Sequence, residues 1–272
     1  MPAINSITVE KLARLVGTPG CPAIIDVATS GEGLIPGSVR RPVDSVAEWG
    51  SELGQSSAIV TCAKGEEKSA GAAAWLRHFG VKAEVLEGGR AAWTAAGLPL
   101  IREDVLPKRN GGGSTVWVTR SRPKVDRIAC PWLIRRFVDP EAVFLFVAPS
   151  EVAAVAARFD GAPFDVEDVF WSHRGELCTF DVMVEELGLS GLPALERLAA
   201  IVRGADTARP ELAPQAAGLL AVSLGLSRMH SDDLEQLDAG MVVYDALYRW
   251  CRDAVDETHD WVSHTPKRRK QP

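Results

Sequence analysis

From residue 7 to residue 97 short apolar runs alternate with stretches of helical character, and this alternation limits what the chain can fold into. Ile7 to Val16 reads as a strand passing into a helix, and "AIIDVA" (23–28) as a buried strand. "SAIVTC" (57–62) is a second strand candidate, followed by a helix over "SAGAAAWLRHF" (69–79) that Gly80 ends. "KAEVLEGG" (82–89) and "RAAWTAAG" (90–97) repeat the strand-then-helix order. Parallel neighbours need a crossover, usually a helix, and strands covered on both faces read as continuous apolar runs. The pattern predicts an α/β unit: a parallel sheet flanked by helices.

The pattern breaks at "REDVLPKRNGGGST" (102–115), where charge, proline and three glycines predict a linker. Beyond it "TVWVTRS" and "AVFLFVA" are strand candidates. "DRIACPWLIRRFVD" reads as a helix if Pro131 lies near its first turn, and "SEVAAVAARFD" (150–160) as a helix capped by Ser150. From about residue 180 the chain reads as successive helices, so the second half is expected to be a mainly helical α+β domain. The expected boundaries are a first domain over 1–104, a linker over 105–115, a second domain over 116–257 and a flexible tail over 258–272.

Several functional classes are disfavoured by composition. A formal net charge of −6 argues against a nucleic-acid partner, and the short terminal "PKRRK" does not reverse that. No apolar run reaches the roughly 18 residues of a membrane span, and no leader precedes the fold, so a cytoplasmic protein is expected. Five cysteines at scattered positions (21, 62, 130, 178, 251) do not form a disulfide framework. Their default role is packing.

Cys62 is the exception to consider, because it ends a strand and opens a glycine-containing loop before a helix. Loop amides that turn inward form a nest for an anion, and the helix N-terminus adds partial positive charge. Both favour a thiolate, the nucleophilic form. A buried strand-end cysteine without chemistry remains the alternative. Three segments, "IIDVATSGEGLIPGSV" (24–39), "VTCAKGEEKSAGAAAWLRHFG" (60–80) and "VLEGGRAAWTAAGLPL" (85–100), together resemble the rhodanese family. The resemblance implies a rhodanese-like fold in which Cys62 carries a persulfide, held by the amides of Ala63, Lys64, Gly65, Glu66, Glu67 and Lys68. It implies a small-molecule sulfur donor, a thiol acceptor and no cofactor. Two departures stand out. The loop from Cys62 to Lys68 is one residue longer than the family's usual loop, resembling arsenate reductases and dual-specificity phosphatases. Lys68, a point charge, also replaces the bidentate arginine at its end.

The second half, over "WVTRSRPKVDRIACPWLIRRFVDPEAVFLFV", "GAPFDVEDVFWSHRGELCTFDVMVEELGL" and "YDALYRWCRD", resembles the C-terminal domain of chromate-resistance proteins. Two clusters there carry chemistry. Arg120, Arg122, Lys124 and Arg127 could bind chromate or another oxyanion, or form a solvated face paired to acids. In "FWSHRGELCTFD" a turn at Arg174-Gly175 would put His173 opposite Glu176 and Trp171 opposite Cys178. His173, Glu176 and Cys178, with Asp181, could then hold a transition metal with a further ligand from Asp126, Asp206 or His259. The alternative is structural, with Cys178 packed and Asp181 capping a helix. Cys130 and Cys251 read as core. The reading is a sulfurtransferase linked to chromate resistance. Its rivals are a chromate- or metal-sensing binding protein on a non-catalytic scaffold and a thiol-dependent oxyanion reductase. Oligomeric state is not encoded in any of these features.

Overall fold

The computed structural model describes residues 5–29, 31, 33–54 and 56–258. Strand β1 (Ser6–Ile7) enters helix α1 (Val9–Leu15), whose first turn Thr8 caps through Lys11 N. Next come β2 (Ala23–Asp26), β3 (Ser38–Arg40), helix α2 (Val46–Trp49), β4 (Ser57–Thr61), helix α3 (Glu67–His78), β5 (Lys82–Leu86) and helix α4 (Gly89–Ala95). The five strands are parallel in the order β1-β5-β4-β2-β3. The expected α/β architecture is therefore present. The sequence reading missed β3 and α2 because neither is long enough to show a period.

Strand side chains alternate between the sheet's two faces, and two apolar clusters follow that alternation. Ile24, Ile59 and Leu86 pack with Leu12 of α1 and Trp93 of α4. Ile25, Ala58 and Val60 pack with Trp49 of α2 and with Ala72, Ala73 and Leu76 of α3. Burial on both faces explains why these strands read as unbroken apolar runs.

The second half begins with β6 (Val116–Arg120), helix α5 (Asp126–Phe137), β7 (Val143–Val147), helix α6 (Val152–Phe159) and the short β8 (Ala162–Pro163). Its sheet is parallel, in the order β7-β6-β8. Helices α7 (Thr179–Glu186), α8 (Pro193–Asp206), α9 (Ala216–Met229) and α10 (Asp233–Asp253) complete it, giving the expected helical region with a small sheet. Among the described residues no helix is long and apolar enough to cross a membrane.

Two local expectations need correction. Pro131 lies inside α5, beyond its first turn, so Arg127 O receives no helical hydrogen bond there. Ser150 does not cap α6: Pro149–Glu151 forms a 3-10 turn, and the Glu151 carboxylate accepts from Ala148 N at 3.3 Å instead.

The segment read as a linker is tied down at both ends. Arg102 N donates to Leu187 O at 3.1 Å, and Arg109 pairs at 3.0 Å with buried Asp139, which also accepts from Thr115 N and Oγ1 at 2.7 Å each. More telling, the α1–α4 face of the first sheet shares one core with the second half. Leu12, Val16 and Trp93 join Trp117, Trp132, Phe137 and Tyr248. Gly17, which follows α1, has φ +77°, and a Cβ there would lie 2.4 Å from Phe137 Cζ and 2.9 Å from Tyr248 Cε1. Gly17→Ala should therefore lose about 1–3 kcal/mol, from left-handed strain and overpacking together. In urea, fluorescence and circular dichroism should fall in one coincident transition. Two separated transitions would show that the halves unfold independently.

Candidate functional site

Strand β4 is the middle strand of the first sheet, and Cys62 follows its last residue. That position, at the carboxyl end of a parallel sheet, is where open α/β folds bind ligands. The neighbouring strand ends build its walls. Beyond β5, Gly88 and Gly89 have φ of +68° and +59°, and a Cβ on Gly89 would lie 2.4 Å from Cys62 O. Such close approach lets Arg90 N donate to Cys62 O and Ala91 N to Ala63 O, both at 2.9 Å. At the end of β2, buried Asp26 pairs with Arg90 at 2.9 Å and Arg40 at 3.3 Å, which ties three strand ends together.

The Cys62 sulfur accepts from Glu66 N at 3.2 Å and lies 3.3 Å from Ser69 Oγ. Burial pushes the thiol up. The Ser69 hydroxyl and the amides of Glu66, Lys64 and Gly65 outweigh it, so Cys62 ionises below the ordinary thiol value. The residue is deep, at 4% exposure. Of the expected cradle, the amides of Lys64, Gly65 and Glu66 act on the sulfur, whereas Glu67 and Lys68 already belong to α3. Glu66, Glu67 and Lys68 are all exposed. Ser69, wholly buried in the first turn of α3, is the partner that sequence reasoning missed. Its seven-residue spacing from Cys62, placing it one helical step inside, was the available signal.

The four basic candidates of the second half separate into two pairs. Arg120 and Arg127 both contact Asp165 Oδ2 at 3.2 Å. Arg122 donates to His230 O and Ser227 O, and with Lys124 and Arg228 it lines a cleft of about 680 Å³. The hairpin is also displaced from its expected register. Arg174 and Leu177 bond in both directions, at 3.1 and 3.0 Å, so Gly175 (φ +59°) and Glu176 form the turn. Glycine's left-handed freedom is used at the first central position, which moves the turn one residue later.

This register separates the four residues grouped as metal ligands. Glu176 stands at the turn tip, 83% exposed, 3.3 Å from Arg209. Asp181 caps α7 by accepting from Cys178 N at 3.1 Å and also pairs with Arg203 at 2.9 Å. Cys178 is fully buried, and burial together with Asp126 and Asp181 pushes its thiol far up. Only His173 reaches a cluster of acids, and these come from elsewhere. Its Nε2 lies 3.2 Å from Asp206, 3.4 Å from Asp165 and 3.6 Å from Asp126. Asp126 and Asp206 were two of the three residues considered as extra ligands, and His259 falls outside the described residues. Asp165, at φ +51° in a loop, carried no sequence signal. Hydrogen bonding to Asp165 and Asp206 raises His173 to about 10. Burial, then the charges of Asp206 and Asp165, push Asp126 well above the usual carboxylate range.

Two expected outcomes follow from this chemistry. Ser69→Ala should move the Cys62 alkylation profile to higher pH and slow iodoacetamide labelling near neutrality about fivefold, the worth of one hydrogen bond of about 1 kcal/mol. Mass spectrometry of the labelled peptide reads both. In metal-free protein, a histidine raised in the folded state adds stability that is complete below its unfolded value and is lost as pH rises through about 10. The melting-temperature gap between wild type and His173→Gln should accordingly close above that pH.

Comparison with known proteins matches these two halves separately. A family model described as "Rhodanese-like domain" matches residues 8–96, and one described as "ChrB, C-terminal domain" matches residues 117–251. Protein ChrB of Cupriavidus metallidurans is 36% identical over 137 residues, spanning 48% of this chain but only 39% of that protein. A rhodanese-like domain protein from Staphylococcus aureus is 28% identical, covering 33% of this chain and 91% of its own, with a TM-score of 0.31. A thiosulfate sulfurtransferase from Pseudomonas aeruginosa is 27% identical over 38% of this chain and 20% of its own, with a TM-score of 0.34. This chain therefore joins a rhodanese-like domain, residues 8–96, to a ChrB C-terminal domain, residues 117–251.

Proposed function

We propose that the protein is a cytoplasmic sulfurtransferase that carries a persulfide on Cys62 and serves chromate or oxyanion resistance. The observation that carries this reading is the sulfur itself, 3.2 Å from Glu66 N and lowered in pKa by the Ser69 hydroxyl and three loop amides. The Cys62 thiolate attacks the outer sulfur of a donor such as thiosulfate. The donor's S–S bond breaks, and sulfite leaves with the bonding pair. The same amides hold the resulting anionic persulfide. An acceptor thiolate then takes the outer sulfur and returns Cys62 to its thiolate, so neither a cofactor nor an external oxidant is required. Lys68, exposed on α3, does not close the cradle with a charge, which favours a singly charged persulfide over a tetrahedral dianion. The chromate context rests on the second half and its family.

The depth of Cys62 favours a second reading, in which the first domain is a scaffold and the second senses an oxyanion or metal. Intact mass separates the two. After thiosulfate, the wild type should gain one sulfur atom that cyanide removes, and Cys62→Ser should gain none. Absence of the adduct on wild type, or turnover of thiosulfate by Cys62→Ser, would refute the sulfur-carrier assignment and leave the scaffold.

A further inference from the structure

We propose that Asp126, His173 and Asp206 form a binding site for a divalent transition-metal cation, independent of the chemistry at Cys62. One ligand atom from each lies within 4.8 Å of the others. The donors come from the start of α5, the hairpin before α7 and the end of α8. His173 Nε2 is 3.2 Å from Asp206 Oδ2 and 3.6 Å from Asp126 Oδ2. Ligands about 2.1 Å from a tetrahedral metal are about 3.4 Å apart, close to both spacings from His173. Asp165 Oδ1, 3.4 Å from the same nitrogen, accepts from Thr179 Oγ1 at 3.0 Å and lies beside the three-residue group, so water would complete the coordination.

A second observation points to a missing partner. Asp126 is wholly buried: its Oδ2 faces the imidazole and accepts from Phe180 N at 3.3 Å, whereas its Oδ1 has no hydrogen-bond partner among the described residues, so the carboxylate has one oxygen still to satisfy. A buried carboxylate oxygen left alone is costly, and a cation is one of the few groups that satisfies it. Charge leads to the same place. Arg120 and Arg127 both pair with Asp165 Oδ2, whereas the ion pairs of Asp126 and Asp206 run to His173. A dication would balance those two carboxylates, and the protons held by His173 and Asp126 would leave to solvent as the imidazole ligates as a neutral base. The mixture of oxygen donors and one imidazole nitrogen suits zinc or manganese(II) rather than a thiolate-seeking ion. The 41% exposure of His173 gives such an ion a way in.

The test uses full-length protein stripped with chelator and desalted. Calorimetric titration with zinc and with manganese(II) should show one equivalent bound per chain, with a rise in melting temperature. His173→Gln and Asp206→Asn should each weaken binding at least about 100-fold and abolish that rise. Asp206→Asn removes both a charge crowding Asp126 and a partner of His173, so its own metal-free melting temperature is the baseline for the metal-induced rise. If that variant fails to fold, the partly exposed His173→Gln gives the reading alone. His230→Gln, altering the other His–carboxylate pair near α10, should bind like wild type. No saturable binding, or binding that both cluster variants retain, would overturn the site and leave the imidazolium as a counter-charge to the carboxylates. None of these readouts involves sulfur transfer, so failure here and failure at Cys62 are distinguishable.

Discussion

The contact between α1 and the Trp132–Phe137–Tyr248 group governs this architecture. Trp132 packs against Tyr248 at a tilt of 55° and Phe137 meets it edge to face, at ring-centroid distances of 5.4 and 5.5 Å, and the turn after α1 meets that cluster with no side chain between. The α1–α4 face of the parallel sheet is thus covered by its own helices and by the other half together. Apolar burial of this kind is non-directional, yet the absent Cβ at Gly17 makes the docking position specific. With that face fixed, the sheet's carboxyl edge and the loop behind Cys62 are fixed too.

Much of the first half could be read from residue order, because its signals are local. Apolar runs of strand length, Gly80 and Gly97 after helices, and a cysteine between strand and loop each report on a few neighbouring positions. The Cys62 cradle followed from the same short range. Ser69 was hidden only because its hydroxyl looks like any polar residue on a helix until the helix's first turn faces the sulfur. Lys68 illustrates the reverse error. Its spacing suggested a loop end, but α3 starts at Glu67 and turns it outward.

The second half resisted such reading because its polar cluster is assembled over long separations. Asp126, Asp165, His173 and Asp206 span some eighty positions and belong to different elements, and no periodicity connects them. The hairpin error arose from a single glycine, whose freedom fits either central position of a tight turn. One residue of displacement sent Glu176 to the tip and separated it from His173. Val125 gave no sequence warning either. Its φ of +37° is a strained conformation for a β-branched residue, held by Ser223 Oγ on its N–H and by the Tyr244 hydroxyl on its carbonyl, both at 3.0 Å. Those two clamps set where α5 begins, and so where Asp126 stands.

The glycine-rich stretch between the halves invites dissection of the gene there, but the wall it appears to mark does not exist in space. A fragment ending at those glycines would leave Leu12, Val16 and Trp93 without their aromatic covering, and the complementary fragment would bare Phe137 and Tyr248. Each piece would carry a newly wetted greasy surface and tend to self-associate. Covalent union of the two halves thus keeps that apolar surface dry, whatever chemistry they share.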